Sequence, residues 1–376
     1  MQRDAVLAAR LATQRLAGPP ADSPAQLVRE LLAVQAQDAP LARAMIALRC
    51  DATASVVAAA VARGEIVRTH VLRPTWHYVA AEDLRWLLQL TSPKVEAGMA
   101  ARHRQLGLVG ARLDAALDVV AARLAGRRFA SRPELAAVLG EAGVLSADDP
   151  LFGQQVGHVL LVGELRGGLC SAPTAGEHRY ALVDEVVPPT PPLDREAALT
   201  ALVGRFVASH GPVALTDLQR WAKVTLTEAR AALARLGDEV ERMDVDGEEL
   251  WRAPAAVLPA TRPQRAWLLS VFDEAFLTYR RVGWTRSDGN PDGPDDRRFA
   301  QSAGGPVLCD GRDVGGWKRR WERGRPWIEL AVDAGLSRPA LRAVDEAVDR
   351  LLVAIGDENG MSAPAPRLGP DVEETR

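Results

Sequence analysis

The stretch that decides the fold runs from Thr216 to Trp251 and reads TDLQRWAKVTLTEARAALARLGDEVERMDVDGEELW. Two segments within it, Thr216-Asp217-Leu218-Gln219 and Thr225-Leu226-Thr227-Glu228, have the spacing of capping boxes, and each predicts the start of a helix. After the second helix, apolar residues lie on both sides of Asp246-Gly247, which is a strong signal for a β-hairpin. Helix, turn, helix and hairpin in this order predict a winged-helix unit.

The same order occurs twice earlier in the chain, in weaker form. Ser131-Arg132-Pro133-Glu134 and Ser23-Pro24-Ala25-Gln26 are both capping boxes, and further helical and strand-like segments follow each of them. The predicted hairpins pair 169–172 with 179–183 and 66–72 with 75–79. Three copies of one order are stronger than any single capping box, so we predict tandem winged-helix domains.

The whole chain is therefore predicted to be mainly α with small β-hairpins and sheets, an α+β protein that ends in a mixed β segment. A Pro-rich stretch separates the second unit from the third, and a closing helix is expected at 339–355. The predicted divisions are winged helix 1 with the Gln-x-Gln motif (1–125), winged helix 2 (126–187), a linker (188–193), winged helix 3 (194–262), a β-rich region (263–356) and a disordered tail (357–376).

Composition narrows the class of protein. The net charge is −3, which argues against a non-specific nucleic-acid coat but leaves room for a local basic surface. No segment approaches the ~18 apolar residues of a membrane span, and the N-terminus does not read as a secretory signal. The three cysteines lie far apart and form no metal-ligand spacing, so we expect a cytoplasmic protein without metal or cofactor. No coiled-coil heptad is visible, and we expect a monomer.

Gln35-Ala36-Gln37 is the most informative short segment, because it lies where an amphipathic helix stops. Asp38 and Pro40 favour a break in the helix just after it. If the backbone is helical here, the two glutamines point to opposite faces and are ordinary polar residues at a helix end. If the backbone is extended, both glutamines point the same way and offer two neutral amides to one site.

Further segments accompany this pair: Arg68-Thr69, Thr75-Trp76-His77-Tyr78-Val79, Phe272-Asp273-Glu274, Tyr279-Arg280 and Val307-Leu308-Cys309-Asp310-Gly311. Together with the tandem winged helices, they resemble the AlkZ/YcaQ-type bacterial DNA glycosylases over almost the whole chain. The resemblance implies excision of N7-alkylated purines from double-stranded DNA. In the AlkZ branch it also implies unhooking of interstrand crosslinks made by a genotoxic natural product, which serves self-resistance. The family's catalytic pair corresponds to Gln35 and Gln37.

Glutamines suit this chemistry because an N7-alkylguanine is already positively charged and leaves without a proton from the enzyme. What remains is to place a water against the sugar cation, and an amide both donates and accepts hydrogen bonds. Asp38 is a candidate general base, although a solvated acid at a helix end is the alternative. Phe272-Asp273-Glu274 is interpreted as structural, since adjacent residues on a strand diverge.

Arg68, Arg73 and His77 on the first hairpin are the predicted DNA contacts nearest the glutamines. Trp76 and His77 should point to opposite faces, and we expect Trp76 to be buried and His77 to face the site; a structural histidine is the alternative.

The most basic segment lies on the C-terminal hairpin and predicts a second set of DNA contacts, at Lys318, Arg319, Arg320 and Arg323. A solvated turn is the alternative interpretation.

Two other functions remain open at this point: a non-enzymatic winged-helix regulator, and a protein-binding scaffold. A gel shift on unmodified duplex would separate them. For the glycosylase we expect a monofunctional, metal-independent enzyme, because the three lysines (Lys94, Lys223 and Lys318) lie outside the proposed pocket.

Overall fold

A computed structural model describes residues 3–174, 176–254, 265–279, 285–286, 304–322 and 325–356. Helices dominate and the sheets are small, which confirms the predicted mainly α class with small β-sheets. The helices are α1 (Arg3–Thr13), α2 (Pro24–Leu31), α3 (Ala39–Leu48), α4 (Ala54–Ala62), α5 (Leu84–Gly98), α6 (Ala100–Gln105), α7 (Ala111–Leu124), α8 (Arg132–Glu141), α9 (Phe152–Leu165), α10 (Val183–Val186), α11 (Arg195–His210), α12 (Leu215–Ala222), α13 (Leu226–Leu236), α14 (Glu274–Leu277) and α15 (Arg338–Gly356).

The strands form four small sheets within the described residues. They are β1 (Val34–Gln35), β2 (Ile66–His70), β3 (Trp76–Ala80), β4 (Leu169–Ser171), β5 (Tyr180–Leu182), β6 (Glu241–Val245), β7 (Glu248–Arg252), β8 (Ala266–Leu268), β9 (Thr285–Arg286), β10 (Gly304–Cys309), β11 (Arg312–Glu322) and β12 (Arg325–Val332). Each of the three predicted hairpins is present as an antiparallel pair: β2 with β3, β4 with β5, and β6 with β7.

The first unit begins with α2, where the Ser23 hydroxyl accepts a hydrogen bond from the Gln26 amide and Pro24 occupies the first helical turn. Helices α3 and α4 follow, and then β2 and β3. The short strand β1 adds to the free edge of β3, which gives a three-stranded sheet of order β1-β3-β2. This sheet carries the Gln35-Ala36-Gln37 segment.

The second unit shares one apolar core among α7, α8 and α9. The stripe of α7 is Leu113, Ala116, Val120 and Leu124, and it packs against Leu135 and Val159 among others. The predicted division at residue 125 falls just after α7, whose stripe shares one buried cluster with Leu106 and Leu108 before it and with α8 and α9 after it.

The third unit contains α11, α12, α13 and the β6–β7 hairpin. The second predicted capping box is present, with the Thr225 hydroxyl accepting from the Glu228 amide. The first is wrong: α12 begins at Leu215, and the Asp217 carboxylate accepts from the Ala214 amide instead. The turn Asp246-Gly247 has positive φ at both residues (56° and 80°), as a tight hairpin turn requires.

The C-terminal region folds back onto the first unit. Strands β8, β10, β11 and β12 form a sheet, β9 pairs with β11, and α15 packs on α3 and on this sheet. Residues from both ends of the chain, such as Leu31, Ile46, Trp267 and Leu351, share one buried cluster. The predicted disordered tail lies outside the described residues. Among the helices that the structure describes, none is long and apolar enough to cross a membrane.

Candidate active site

The Gln35-Ala36-Gln37 segment has an extended backbone where it joins the sheet. Gln35 lies opposite His77 in the β1–β3 pair, and the Ala36 amide donates to the Trp76 carbonyl at 2.7 Å. Gln35 is 8% exposed and Ala36 is fully buried, whereas Gln37 is exposed. The helical alternative is therefore wrong, and the backbone is extended at Gln35, while the strand ends before Ala36 and Gln37 lies in a bend. The structure places one glutamine inside the protein and the other at its surface.

Cross-strand partners lie on the same face of a sheet, so the register divides the neighbouring side chains into two groups. We call the side that carries Gln35, Thr69 and His77 the Gln35 face. We call the opposite side, which carries Arg68, His70 and Trp76, the Trp76 face.

On the Gln35 face, the side chain of Gln35 is held by Arg73. Nη2 of Arg73 donates to Oε1 of Gln35 at 2.8 Å and also lies 3.1 Å from Nε2 of His77. The other ring nitrogen of His77, Nδ1, donates to the Thr75 carbonyl at 2.9 Å, so Nε2 is the acceptor for Arg73. Burial and the adjacent guanidinium lower the pKa of His77 far below its usual value, which keeps the ring neutral.

The backbone of Gln35 is held by a carboxylate from the far end of the chain. Oε1 of Glu274 accepts from the Gln35 amide at 2.8 Å, and its Oε2 accepts from the Trp221 indole at 2.7 Å. Burial raises the pKa of Glu274, while Arg73 and the two hydrogen bonds act in the opposite direction. Next to it, Asp273 forms a buried two-pronged ion pair with Arg49, at 2.8 and 2.9 Å.

Asp273 and Glu274 have different partners, which agrees with their interpretation as a structural pair, but the strand expected here is wrong: Asp273 is the N-cap of α14 and Glu274 is its first residue. The contact between Glu274 and the Gln35 backbone was missed, and no local pattern could have shown it, since the two residues are 239 positions apart. The only sequence signal was the matching Phe272-Asp273-Glu274 segment itself.

On the Trp76 face, Arg68 holds the middle of the motif. Its Nε and Nη2 both donate to the Ala36 carbonyl, at 3.1 and 3.0 Å, and its guanidinium lies 4.0 Å from the centre of the Trp76 ring. Burial lowers the pKa of Arg68. The guanidinium predicted to contact DNA is thus engaged with the backbone between the two glutamines.

Trp76 is only partly buried, so the expectation of a buried Trp76 is wrong. His77 lies on the same face as Gln35 and contacts Arg73, as expected of a residue that faces the site, but it is fully buried. In this structure His77 has no surface with which to contact DNA, and its predicted DNA contact is not available. The alternation of the two side chains is correct, but both faces of the sheet are covered by other parts of the chain.

Asp38 is the N-cap of α3. Its Oδ1 accepts from the Leu41 amide at 3.1 Å, and its backbone is extended as N-caps are. This arrangement favours the interpretation of Asp38 as a helix-terminal acid over that of a general base.

The basic residues of the C-terminal hairpin lie on β11, in a different sheet from the motif. Lys318 and Arg319 are partly buried and Arg320 is exposed, with Arg320 paired to Glu329 across the hairpin. The neighbouring Trp321 is 51% exposed. Arg323 lies outside the described residues. In the described part of the chain, no group of three or more His, Cys, Asp or Glu side chains is placed to hold a metal ion.

Comparisons with known proteins identify the family of the chain. A family model described as DNA glycosylase AlkZ-like matches residues 28–353. Among solved structures, the fold is similar to that of Streptomyces sahachiroi DNA glycosylase AlkZ, with a TM-score of 0.76 and 22% identity over 98% of this chain and 100% of that one. No curated protein is significantly similar in sequence. The family match covers most of the chain, and the protein therefore belongs to the AlkZ-like family of DNA glycosylases.

Proposed function

We propose that this glycosylase hydrolyses the N-glycosidic bond of N7-alkylated purines in double-stranded DNA, with Gln35 and Gln37 as its catalytic residues. The observation that carries the proposal is the hydrogen bonding of two carboxylates: Asp38, which follows the motif directly, and Glu274, which contacts its backbone. Asp38 caps α3, and both oxygens of the buried Glu274 accept hydrogen bonds. Because both oxygens of Glu274 are occupied and Asp38 serves as a helix cap, we expect a base that leaves without a proton from the enzyme.

An N7-alkylated purine meets this requirement. Its imidazolium ring is positively charged, so the electron pair of the breaking C1′–N9 bond neutralises the departing base. The oxygen of a water forms the new bond to C1′ of the oxocarbenium-like sugar, and the excess proton passes to solvent. The products are a neutral free base and an abasic site. Amide side chains can place this water without the desolvation cost of a buried carboxylate.

The exposure of Gln37 supports a bulky substrate. A catalytic amide at the protein surface can approach adducts that remain attached to duplex DNA, including interstrand crosslinks formed by a genotoxic natural product. Unhooking such a crosslink would need the same hydrolysis at one of its two purines. We propose this as the self-resistance role of the protein.

The test of the proposal uses a duplex that contains one N7-methylguanine. Abasic sites are revealed by alkaline cleavage, and single-turnover rates are measured for Gln35→Ala and Gln37→Ala. Each should be about 10²-fold slower than the parent, the loss expected for one hydrogen bond made mainly in the transition state. The double variant should lose less than the sum, because both residues act on one water.

Gln105→Ala is the matched control, because Gln105 is an exposed glutamine at the end of α6. Parent-like rates for both motif variants would overturn the catalytic assignment. Excision should persist in EDTA, and borohydride should trap no covalent enzyme–DNA adduct, as expected of a monofunctional enzyme.

The basic strand supplies the proposed phosphate contacts, through Lys318, Arg319, Arg320 and Arg323. Replacing Lys318, Arg319 and Arg320 together with Ala should weaken binding and reduce the salt dependence by up to about one log unit per lost contact. An unchanged salt slope would show that this hairpin does not touch DNA.

A further inference from the structure

The amide of Gln35 has a fixed orientation. Arginine can only donate hydrogen bonds, so the atom of Gln35 that lies 2.8 Å from Nη2 of Arg73 must be the carbonyl oxygen. The amide nitrogen, Nε2, then points away from Arg73. Gln35 therefore presents a donor to its surroundings, and its acceptor is already used inside the protein.

The position of Arg73 is fixed in turn by the groups around it. His77 accepts from the same Nη2, and its tautomer is set by the Thr75 carbonyl. Glu274 supplies opposite charge nearby while it holds the Gln35 backbone. Leu72, directly before Arg73, is fully buried with φ of 63°, a costly conformation for a leucine. Such a strained residue persists only where its surroundings determine the backbone.

A water that attacks C1′ needs both kinds of partner. One hydrogen bond received from a donor and one given to an acceptor leave a lone pair of the water directed at the sugar. Gln35 supplies the donor, because its carbonyl oxygen is already bonded by Arg73. Gln37 is exposed, and its carbonyl oxygen can supply the acceptor.

Resting on the proposed function, we infer that Arg73 is a positioning residue that makes the two glutamines unequal. Gln35 donates to the attacking water through Nε2, and Gln37 accepts from the water through Oε1. Arg73 acts through Gln35 and does not contact the DNA.

The first test replaces each glutamine with glutamate, which keeps the acceptor and removes the donor. Gln35→Glu places a carboxylate against Arg73, and its rate should be no higher than that of Gln35→Ala. Gln37→Glu keeps the required acceptor. Its rate should exceed that of Gln37→Ala by at least tenfold.

The second test concerns Arg73. Arg73→Met should lower the single-turnover rate about tenfold in the parent, and less than twofold when Gln35 is already Ala, because the two residues act as a unit. Arg73→Lys, which keeps a donor and the charge, should recover part of the rate. The affinity for unmodified duplex and its salt slope should stay at the parent values. Arg104→Met, at an exposed arginine of α6, is the control.

The outcomes separate this inference from the proposed function. If the parent does not excise N7-methylguanine, or if both Ala variants keep parent rates, the proposed function fails. If both Ala variants are slow but the two Glu variants respond alike, only the division of roles fails. Weaker DNA binding by Arg73→Met in both backgrounds would make Arg73 a phosphate contact and overturn its positioning role. Should Arg73→Met fail to fold, the pair of Glu variants still decides the matter.

Discussion

Two arginines hold the Gln35-Ala36-Gln37 segment from opposite faces of one small sheet. Arg68, on the Trp76 face, bonds the backbone carbonyl of Ala36, and Arg73, on the Gln35 face, bonds the side chain of Gln35. A guanidinium that bonds a backbone carbonyl fixes where the chain runs. A guanidinium that bonds a side-chain amide also determines which atom of that amide faces a substrate.

The other contacts on the two faces also differ: those on the Trp76 face are structural, and those on the Gln35 face surround the motif. On the Trp76 face, His70 pairs with the fully buried Glu164, and Trp76 packs edge-on against His178 with ring centres 5.0 Å apart. These contacts join the first unit to the second. On the Gln35 face, each hydrogen bond described leads back to the motif. We therefore expect changes on the Trp76 face to affect stability, and changes among the groups that contact Gln35 to affect the rate.

Acid should have the largest effect, because it acts on both faces at once. Burial is the largest cause that lowers the pKa of five histidines, to about 3 for His70 and His210, to about 4 for His158 and His178, and far below the usual value for His77. Such a histidine binds fewer protons when folded. Its contribution to stability is therefore complete above the unfolded pKa of about 6.5 and declines as the pH falls toward the folded pKa.

Each of these groups can remove up to about 1.4 kcal/mol per pH unit, so the free energy of unfolding should fall by on the order of 5 kcal/mol between pH 6.5 and 5. The raised pKa values of Glu164 and Glu274 act in the opposite direction, but they are outnumbered. Urea unfolding at pH 7.5, 6.5, 5.5 and 5.0 measures the change. A midpoint that stays constant down to pH 5.0 would contradict the prediction.

The next largest effect is expected at the buried ion pair next to Glu274. Arg49→Ala leaves Asp273 buried without its partner and should lower the free energy of unfolding by about 3–5 kcal/mol. The same change in an Asp273→Ala background should cost much less, because no charge is then left unpaired. Urea unfolding of the parent, the two single variants and the double variant gives the coupling free energy between Arg49 and Asp273. Additive losses of stability would show that the two residues do not act together.

A smaller loss is expected on the Trp76 face. Glu164→Ala removes the partner of His70 and should cost about 2 kcal/mol. Glu164→Gln, which can still hydrogen-bond to the ring, is the matched variant and should cost less. The excision rate per folded molecule should stay near that of the parent for both. A tenfold slower rate in a fully folded Glu164→Gln protein would remove the distinction between the two faces.

The smallest effect is expected at Asp38, at the boundary of the motif. Asp38→Ala loses the cap of α3 and should cost about 1 kcal/mol, whereas Asp38→Asn keeps a good N-cap and should cost only a few tenths. Single-turnover rates then test the chemistry. If Asp38→Asn is slower than either Gln35→Ala or Gln37→Ala, the carboxylate is the general base and Asp38 belongs to the catalytic residues.

The sequence predicts the parts of the fold that depend on near neighbours. Thr225 and Glu228 form the expected capping box, and Asp246-Gly247 turns the expected hairpin, because both depend on a few consecutive residues. The start of α12 was mispredicted, since another group competed with the local pattern. Asp217 rather than Thr216 provides the cap.

The site was predicted only in part, for the same physical reason. The nearness of Gln35, Arg73 and His77 follows from one hairpin and its edge strand. The burial of His77 does not follow, because a sheet covered on both faces gives no polar side to recognise. Glu274 reaches the motif only through the packing of the C-terminal region, and local spacing carries no information about such a contact.

The hydrogen bond between the Gln35 amide and Glu274 spans 239 positions and has a consequence during translation. Chains emerge from the ribosome beginning with the N-terminus, and domains fold in that order. A nascent chain can therefore complete the hairpin that carries Arg73 and His77 well before Glu274 has been synthesised. Until then the Gln35 amide lacks its acceptor, and the site stays incomplete. The proposed site is thus completed only by a segment that is synthesised long after the motif itself.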